Sequence, residues 1–308
     1  MEGDASPGAK PDDGKTASWT IQRLIAWGTR HFRDRGIDSP RLTTEELLGH
    51  VLEASRVQLY MDLQRPLEER ELTRLRELVK QRDARIPLQH LLGAVEFRGR
   101  RFKVDRRALI PRPETELLVE ACLEEIAVDA PSVALELGPG SGVIALSLLA
   151  ERAGLRMVAV EISPEAAALT RENAARLGVA DRLELREGDL FGPLLSGERF
   201  DLIVSNPPYV ASEVIASLEP EVRDHDPRLA LDGGVEGLGI IRRLVGAARP
   251  WLAAGGRLAL EIGDEQGPAV GALLAQAGFA DIEIRKDYAG LDRLALGQST
   301  GGSDLRAG

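Results

Sequence analysis

The sequence predicts an α/β protein in which a helical region precedes a mostly parallel sheet of seven strands. Two observations carry this prediction. From residue 133 onward, short apolar runs alternate with helical patterns, as a parallel sheet requires. From residue 18 to about residue 85, apolar residues recur at helical spacing throughout. A chain of 308 residues is long for one domain, so two domains are expected.

Composition narrows the classes of protein to consider. The apolar content of 44% supports a real core, and the net charge of −10 argues against affinity based on broad contact with nucleic-acid phosphates. The single cysteine, Cys122, cannot form an internal disulfide or a cysteine-rich metal site, and we predict no metal. No segment has the character of a signal peptide or a membrane span. We therefore expect a cytoplasmic protein that does not associate with a membrane.

The N-terminal part is predicted to be a helical bundle over residues 18–87. Residues 88–110 change to strand character around a glycine turn and are predicted to form a β-hairpin that links two domains. The flanking segments 1–17 and 298–308 are rich in small and polar residues, which predicts disordered tails. Since the helical domain contains no catalytic constellation, we expect it to recognise a large substrate.

The second domain is predicted to cover residues 111–297. It begins with Pro111-Arg112-Pro113, a rigid entry into a helix. Apolar runs predict strands at 133–137, 156–161, 183–187, 200–206, 256–262, 282–286 and 292–297. Start and stop signals predict the intervening helices near 143–153, 164–177, 238–252 and 266–277.

A glycine-rich loop follows the first strand directly. It reads Gly138-Pro139-Gly140-Ser141-Gly142, in which glycines allow a tight turn and let a ligand approach main-chain N–H groups. The spacing is a poor match to a dinucleotide loop and favours a nucleoside with a short charged tail. The second strand ends at Glu161, whose carboxylate can accept both hydroxyls of a ribose, and the third is followed by Asp189, which can accept from an adenine amino group.

The fourth strand stops at Asn206-Pro207-Pro208-Tyr209. Consecutive prolines fix φ and remove two backbone donors, so the strand cannot continue its ladder. The Asn206 side-chain oxygen and the Pro207 carbonyl are two acceptors for the two hydrogens of a planar NH2 group, and Tyr209 offers a ring face. The stretch therefore predicts a site for an amide or an exocyclic amine.

These motifs together resemble the class I S-adenosylmethionine-dependent methyltransferases that act on amino groups, whose sheet is Rossmann-like. Further blocks resemble the PrmC (HemK) family, which N5-methylates the glutamine of the Gly-Gly-Gln motif in peptide chain release factors. These blocks lie at 89–93, 96–97, 109–116 and 220–231, and the resemblance covers roughly residues 20–297. Two positions depart from the family pattern: Pro139, where threonine is more common, and Leu190, where some members have an aromatic residue.

The resemblance implies S-adenosylmethionine as the cofactor and a release factor as the partner of a monomeric enzyme without direct nucleic-acid binding. The implied cofactor residues are Gly138, Pro139, Gly140, Ser141, Gly142, Glu161, Ile162, Asp189, Leu190 and Asn206. The implied substrate residues are Arg112, Pro113, Asn206, Pro207, Pro208 and Tyr209, of which Asn206, Pro207 and Tyr209 are the catalytic ones. The segment Asp224-His225-Asp226-Pro227 is predicted to form a solvated lid loop rather than to supply a general base.

Other functions stay open at this stage. A ribosomal-protein glutamine methyltransferase has the same core and differs mainly in its N-terminal part. A DNA or RNA adenine methyltransferase also presents an NH2 group to such a motif, but the acidic composition weighs against it. A non-catalytic nucleotide-binding module is disfavoured, because Asn206-Pro207-Pro208-Tyr209 would have no obvious purpose there.

Overall fold

The computed structural model describes residues 18–128 and 130–300, which form two compact units divided between Gly93 and Ala94. The predicted tail over residues 1–17 and the part of the other tail from residue 301 lie outside the described residues. The last strand ends later than residue 297, because Gln298 pairs with Arg257 and Ser299 pairs with Phe279. Among the described residues, no helix combines the length and apolar character needed to cross a membrane.

The first unit is helical, as predicted. Its helices are α1 (Ile21–Asp34), α2 (Pro40–Leu52), α3 (Arg56–Met61), α4 (Glu69–Asp83) and α5 (Leu88–Leu92). Apolar residues three and four positions apart put one face of each long helix into a common core, whose fully buried members include Leu24, Phe32, Leu47 and Leu48. The Thr20 side chain caps α1, and Pro40 occupies the first turn of α2.

The hairpin predicted over residues 88–110 covers fewer residues in the structure. Leu88–Leu92 form helix α5, which ends at Gly93 in the left-handed conformation. Strands β1 (Ala94–Phe97) and β2 (Arg100–Lys103) follow, and the two residues between them both have positive φ, as a tight hairpin turn with the right twist requires. Residues beyond Lys103 leave the hairpin and lead toward the sheet.

The second unit contains the predicted seven-stranded, mostly parallel sheet. Its strands are β3 (Ser132–Leu137), β4 (Leu155–Glu161), β5 (Leu183–Glu187), β6 (Phe200–Ser205), β7 (Leu252–Glu261), β8 (Phe279–Lys286) and β9 (Asp292–Ser299). The spatial order is β5-β4-β3-β6-β7-β9-β8, and within this sheet β9 alone runs opposite in direction to the other six strands. The central strands are buried on both faces, which explains their nearly continuous apolar runs.

Helices cover both faces of this sheet. Helices α6 (Thr115–Glu125) and α7 (Val143–Glu151) pack on one face, and α11 (Gly239–Ala248) and α12 (Gly267–Gln276) pack on the other. The remaining helices are α8 (Pro164–Leu177), α9 (Pro220–Arg223) and α10 (Arg228–Leu231). Strand order reverses between β3 and β6, so a crevice is expected where the carboxyl ends of these strands diverge.

Candidate active site

A cavity of about 410 Å³ lies at this strand reversal. Its lining comes from the ends of β3, β4 and β6, from the segment before α6, and from the segment around α10. Most of the residues predicted for the site line it, namely Arg112, Gly138, Pro139, Gly140, Ser141, Glu161, Ile162, Asp189, Leu190, Asn206, Pro207 and Pro208. Three predicted residues, Pro113, Gly142 and Tyr209, are not part of the lining.

Main-chain hydrogen bonds hold the glycine-rich loop at both of its ends. Gly138 donates its N–H to the Val160 carbonyl at 2.8 Å, and Gly142 donates to the Pro139 carbonyl at 2.8 Å. All three glycines of the loop have positive φ. Gly142 has a φ of 85°, which strains any other residue, and a Cβ there would also lie 2.9 Å from the Leu146 side chain and 3.0 Å from that of Thr170, so this glycine suits the start of α7.

The carboxylate of Glu161 fixes this loop to the end of β4. It accepts the Gly140 N–H on Oε2 at 2.9 Å and the Ser163 N–H on Oε1 at 2.9 Å. The side chain is 5% exposed and lines the cavity. Since each carboxylate oxygen has two acceptor positions, one position on each oxygen stays available for a ligand hydroxyl.

Glu136 is a cavity residue that the sequence reasoning did not select. It is fully buried, and its Oε2 accepts the Ala145 N–H at 2.9 Å. Within the described chain its Oε1 has no hydrogen-bond partner. Burial, together with the nearby charge of Glu161, raises the pKa of Glu136 to about 8. The available signal was an acid inside an otherwise apolar strand just before the glycine loop.

Asn206 ends a chain of hydrogen bonds that reaches into the protein. Its Nδ2 donates to Thr115 Oγ1 at 3.3 Å, and the Thr115 hydroxyl donates to Glu261 Oε2 at 2.7 Å. Tyr209 donates its phenolic hydrogen to the other oxygen of Glu261 at 3.3 Å. Thr115 and Glu261 are 2% and 1% exposed. Neither was selected from the sequence, because the two residues come from segments far apart in the chain.

Tyr209 is partly buried and does not line the cavity, and the expectation that its ring covers the substrate stays a prediction. Its ring packs against the core beside α11 and α12, and burial raises the pKa of its hydroxyl. Gln266 also donates to its backbone carbonyl at 3.1 Å. In this structure Tyr209 is connected to Asn206 through the hydrogen bonds of Glu261 and Thr115.

The far end of the cavity contains Asp189 and Leu190. Arg243 of α11 donates to Asp189 Oδ2 at 2.5 Å, an ion pair at the cavity wall that the sequence did not indicate. Leu190 has a φ of 47°, a conformation that a branched aliphatic residue rarely adopts. Ile162 is half exposed and lines the same cavity, so it offers an apolar surface next to Glu161.

Asp226 corrects the prediction of a solvated lid. Its side chain is 1% exposed, accepts from Arg112 Nη2 at 3.0 Å, and accepts the Ile110 N–H at 3.3 Å. Burial raises the pKa of Asp226 to about 6, although the Arg112 charge opposes the shift. The segment between α9 and α10 is thus attached to the loop leading into α6, whereas Pro113 is exposed to solvent.

Two family models and several known relatives match this chain. The PrmC N-terminal domain family matches residues 23–93, and the methyltransferase small domain family matches residues 113–219. A release factor glutamine methyltransferase of Geobacter sulfurreducens is 43% identical over 284 residues, covering 92% of this chain and 98% of the relative. One from Cereibacter sphaeroides is 44% identical, covering 84% and 91%.

The chain belongs to the release factor glutamine methyltransferase family. The family predicted from the sequence motifs is therefore confirmed, and so is a methyltransferase fold. A solved structure of the hMettl16 catalytic domain matches 66% of this methyltransferase and 76% of that chain, with a TM-score of 0.52 and 15% identity. At that identity the likeness supports the fold alone.

Proposed function

We propose that this methyltransferase transfers a methyl group from S-adenosylmethionine to the side-chain amide nitrogen, N5, of the glutamine in the Gly-Gly-Gln motif of release factors. The observation that carries the proposal is Asn206, which ends β6 at the cavity and has its Nδ2 directed to Thr115. The other polar atom of this amide is Oδ1, which can accept one hydrogen of an NH2 group. Relatives named for this reaction match nearly the full length of the chain.

The residues of the cavity fit S-adenosylmethionine. The Oε1 of Glu136 is buried and has no hydrogen-bond partner among the described residues, and the sulfonium and ammonium groups of the proposed cofactor would favour the carboxylate form of this side chain. Glu161 retains acceptor positions for the ribose hydroxyls, and Ile162 and Leu190 provide apolar surface for the adenine. Pro139 has no N–H, and the N–H groups of Gly138, Gly140 and Gly142 already donate within the protein, so the loop offers fewer main-chain donors than its glycines suggest.

Catalysis by these residues depends on positioning. An amide nitrogen is a poor nucleophile, because its lone pair is delocalised into the carbonyl. Asn206 Oδ1 and the Pro207 carbonyl each accept one hydrogen of the substrate NH2, which orients the nitrogen and favours its pyramidal form. Bound S-adenosylmethionine supplies the electrophilic methyl group. The nitrogen forms the new bond to carbon as the bond to sulfur breaks, and the displaced N–H proton passes to solvent.

The proposal has consequences for the partner and the location. A release factor is a protein substrate that acts in translation, so we propose that the enzyme works in the cytoplasm, as a monomer and without binding nucleic acid directly. The helical unit over residues 18–93 is proposed to contact the release factor away from the glutamine. This assignment is supported by the match of residues 23–93 to the PrmC N-terminal domain family.

Mass spectrometry tests the proposed reaction. A purified release factor is incubated with the enzyme and S-adenosylmethionine, digested, and compared with a sample that lacks the enzyme. We expect one added methyl group on the glutamine of the Gly-Gly-Gln peptide. Ribosomal proteins and adenine-containing DNA and RNA are tested in parallel. Methylation of one of those substrates, together with an unmodified release factor, would contradict the proposal.

A further inference from the structure

The amide of Asn206 can face the cavity in two ways, with its oxygen or with its NH2 group. The two orientations have nearly the same shape but opposite hydrogen-bonding character. Only the first attracts a substrate NH2 group, because two facing donors repel. The Pro207 carbonyl can only accept, so the part of the discrimination between glutamine and glutamate that can vary depends on what fixes the Asn206 amide.

The hydrogen bonds of Thr115 determine the orientation of the Asn206 amide, because a hydroxyl has only one hydrogen to donate. The Thr115 hydroxyl has one hydrogen, which it donates to Glu261 Oε2 at 2.7 Å. Its oxygen can then only accept, so the group facing it at 3.3 Å is Nδ2 of Asn206 and not Oδ1. If Thr115 were free to donate toward Asn206, both amide orientations would be satisfied.

Glu261 is suited to hold that hydroxyl. It sits at the end of β7, 1% exposed, and accepts from Thr115 on one oxygen and from Tyr209 on the other. Among the described residues no basic side chain forms an ion pair with this carboxyl, whose burial costs stability. Burial raises the pKa of Glu261, whereas the hydrogen bonds from Thr115 and Tyr209 and the charge of Arg293 favour the carboxylate.

We propose that Glu261 and Thr115 are positioning residues that select glutamine over glutamate by keeping the Asn206 oxygen turned toward the substrate. The inference rests on the proposed function and deepens it. Glu261 does not line the cavity, and Thr115 lines it but is only 2% exposed. Both act through Asn206. The Glu261 carboxylate also accepts the hydrogen of the Tyr209 hydroxyl, and Tyr209 directly follows the two prolines.

The test compares two versions of one release factor, with Gly-Gly-Gln or Gly-Gly-Glu at the motif. Binding affinity for each is measured by calorimetry with the full-length enzyme, alongside kcat and KM for the glutamine version. Thr115→Val removes the hydroxyl and keeps the shape. We expect the affinity ratio between the two versions to fall by about tenfold, the scale of one hydrogen-bonding difference, with a matching loss in kcat.

Four further variants separate positioning from simple packing. Glu261→Gln keeps the volume, but its NH2 group can donate to Thr115 and release the threonine hydrogen, so the ratio should fall here as well. Thr115→Ser should restore the wild-type ratio. Ser147→Ala removes a buried hydroxyl of α7 outside the cavity lining and should leave the ratio and kcat unchanged. In an Asn206→Ala background, Thr115→Val should have no additional effect.

The outcomes are distinct. An affinity ratio that is unchanged in both Thr115→Val and Glu261→Gln overturns the inference. A further fall in this ratio when Thr115→Val is added to Asn206→Ala overturns it as well. A ratio that falls in both variants and returns with serine supports it. A wild-type enzyme that leaves the glutamine unmethylated counts against the proposed function itself, whatever the variants do.

Discussion

Three glutamates at this site have almost no exposure to solvent, and each is held differently. Glu161 accepts two backbone N–H groups, Glu261 accepts two side-chain hydroxyls, and Glu136 accepts one N–H and leaves one oxygen without a partner in the described structure. A buried acceptor without a donor is costly in the folded state. For Glu136, this cost is the expected signature of a residue placed for a cationic ligand.

Glu136→Gln should weaken cofactor binding and stabilise the protein without ligand. The pKa of Glu136 in the folded protein, about 8, lies above the ordinary glutamate value, so folding favours the protonated acid. Its contribution to stability is full at low pH and is lost as pH rises through about 8. We expect the variant to exceed wild type in stability at pH 9, by on the order of a few kcal/mol, with a smaller difference at pH 5. S-adenosylmethionine affinity should fall by about 1–3 kcal/mol.

Glu45→Gln is the matched control for this prediction. Glu45 is also fully buried, and burial opposes its ionisation, but hydrogen bonds from Tyr60, Arg41 and Arg56 outweigh burial and hold its pKa below the usual value. Its replacement should therefore lose stability at neutral pH and leave cofactor affinity unchanged. Calorimetry and chemical unfolding at both pH values give the comparison. Unchanged cofactor affinity in Glu136→Gln would contradict the role assigned to Glu136.

Sequence reasoning reached those site residues whose signal is local. Glu161 could be found because its distance from the glycine loop reflects one strand-loop-helix unit, and Asn206 because two prolines end an apolar strand beside it. Thr115, Glu136 and Glu261 could not be combined from spacing alone, since they come from three separate segments: Thr115 and Glu136 line the cavity, and Glu261 lies behind Thr115. Tyr209 belongs to the predicted motif, but its partly buried ring packs against the core and does not line the cavity.

The segment around α10 forms one wall of the cavity, and Asp226 joins it to the loop before α6 through an ion pair with Arg112 and a hydrogen bond from the Ile110 N–H. Asp226 is almost fully buried, whereas the Arg112 side chain is 37% exposed. In such a pair the buried partner bears the desolvation cost, so losing the exposed partner leaves an uncompensated charge inside the protein. The two residues should therefore respond unequally to substitution.

Arg112→Ala should destabilise the protein more than Asp226→Asn. We expect a loss of about 1–3 kcal/mol at pH 8 for Arg112→Ala, the range for an unsatisfied buried group. Asp226→Asn retains an acceptor for the Ile110 N–H and removes the charge, so it should cost less. Because the pKa of Asp226 is about 6, the loss in Arg112→Ala should shrink at pH 5. Unfolding of both variants at pH 5 and pH 8 measures this, and an equal loss at the two pH values would contradict it.

Elements were predictable where apolar runs were long. The helices at 143–151 and 164–177 and the central strands lie within about two residues of their predicted positions. The five-residue helix Leu88–Leu92 was assigned to a strand, because a short apolar run has no period that distinguishes the two. The burial of Asp226 was missed for another reason: a run of charged residues indicates a solvated loop, and only the fold supplies Arg112 as its partner.

The described chain consists of two units, and each unit has its own hydrophobic core. The helical unit has its own buried apolar cluster, and the cavity with every residue proposed for chemistry belongs to the unit that begins at Ala94. Cofactor binding should therefore be independent of the helical unit, whereas recognition of a large protein substrate should depend on it.

A chain that begins at Ala94 should keep its affinity for S-adenosylmethionine. It should also methylate a short Gly-Gly-Gln peptide at a rate similar to that of the full-length enzyme. With an intact release factor, we expect kcat/KM to fall by at least about tenfold, because the contacts away from the glutamine are lost. Calorimetry and kinetics with both substrates provide the measurement. Full activity on the intact protein would show that the helical unit is not needed for recognition.

The central claim is that the Asn206 oxygen at the end of β6 accepts a hydrogen from the substrate amide during methyl transfer. Single-turnover methylation of a release factor by wild type, Asn206→Ala and Asn206→Asp, with cofactor affinity measured in parallel, tests it most directly. We predict that both variants bind S-adenosylmethionine about as well as wild type and transfer methyl roughly a hundredfold more slowly or worse, the scale of one preorganised polar contact. Near-normal transfer by Asn206→Ala would contradict the claim and show that the asparagine merely ends a strand.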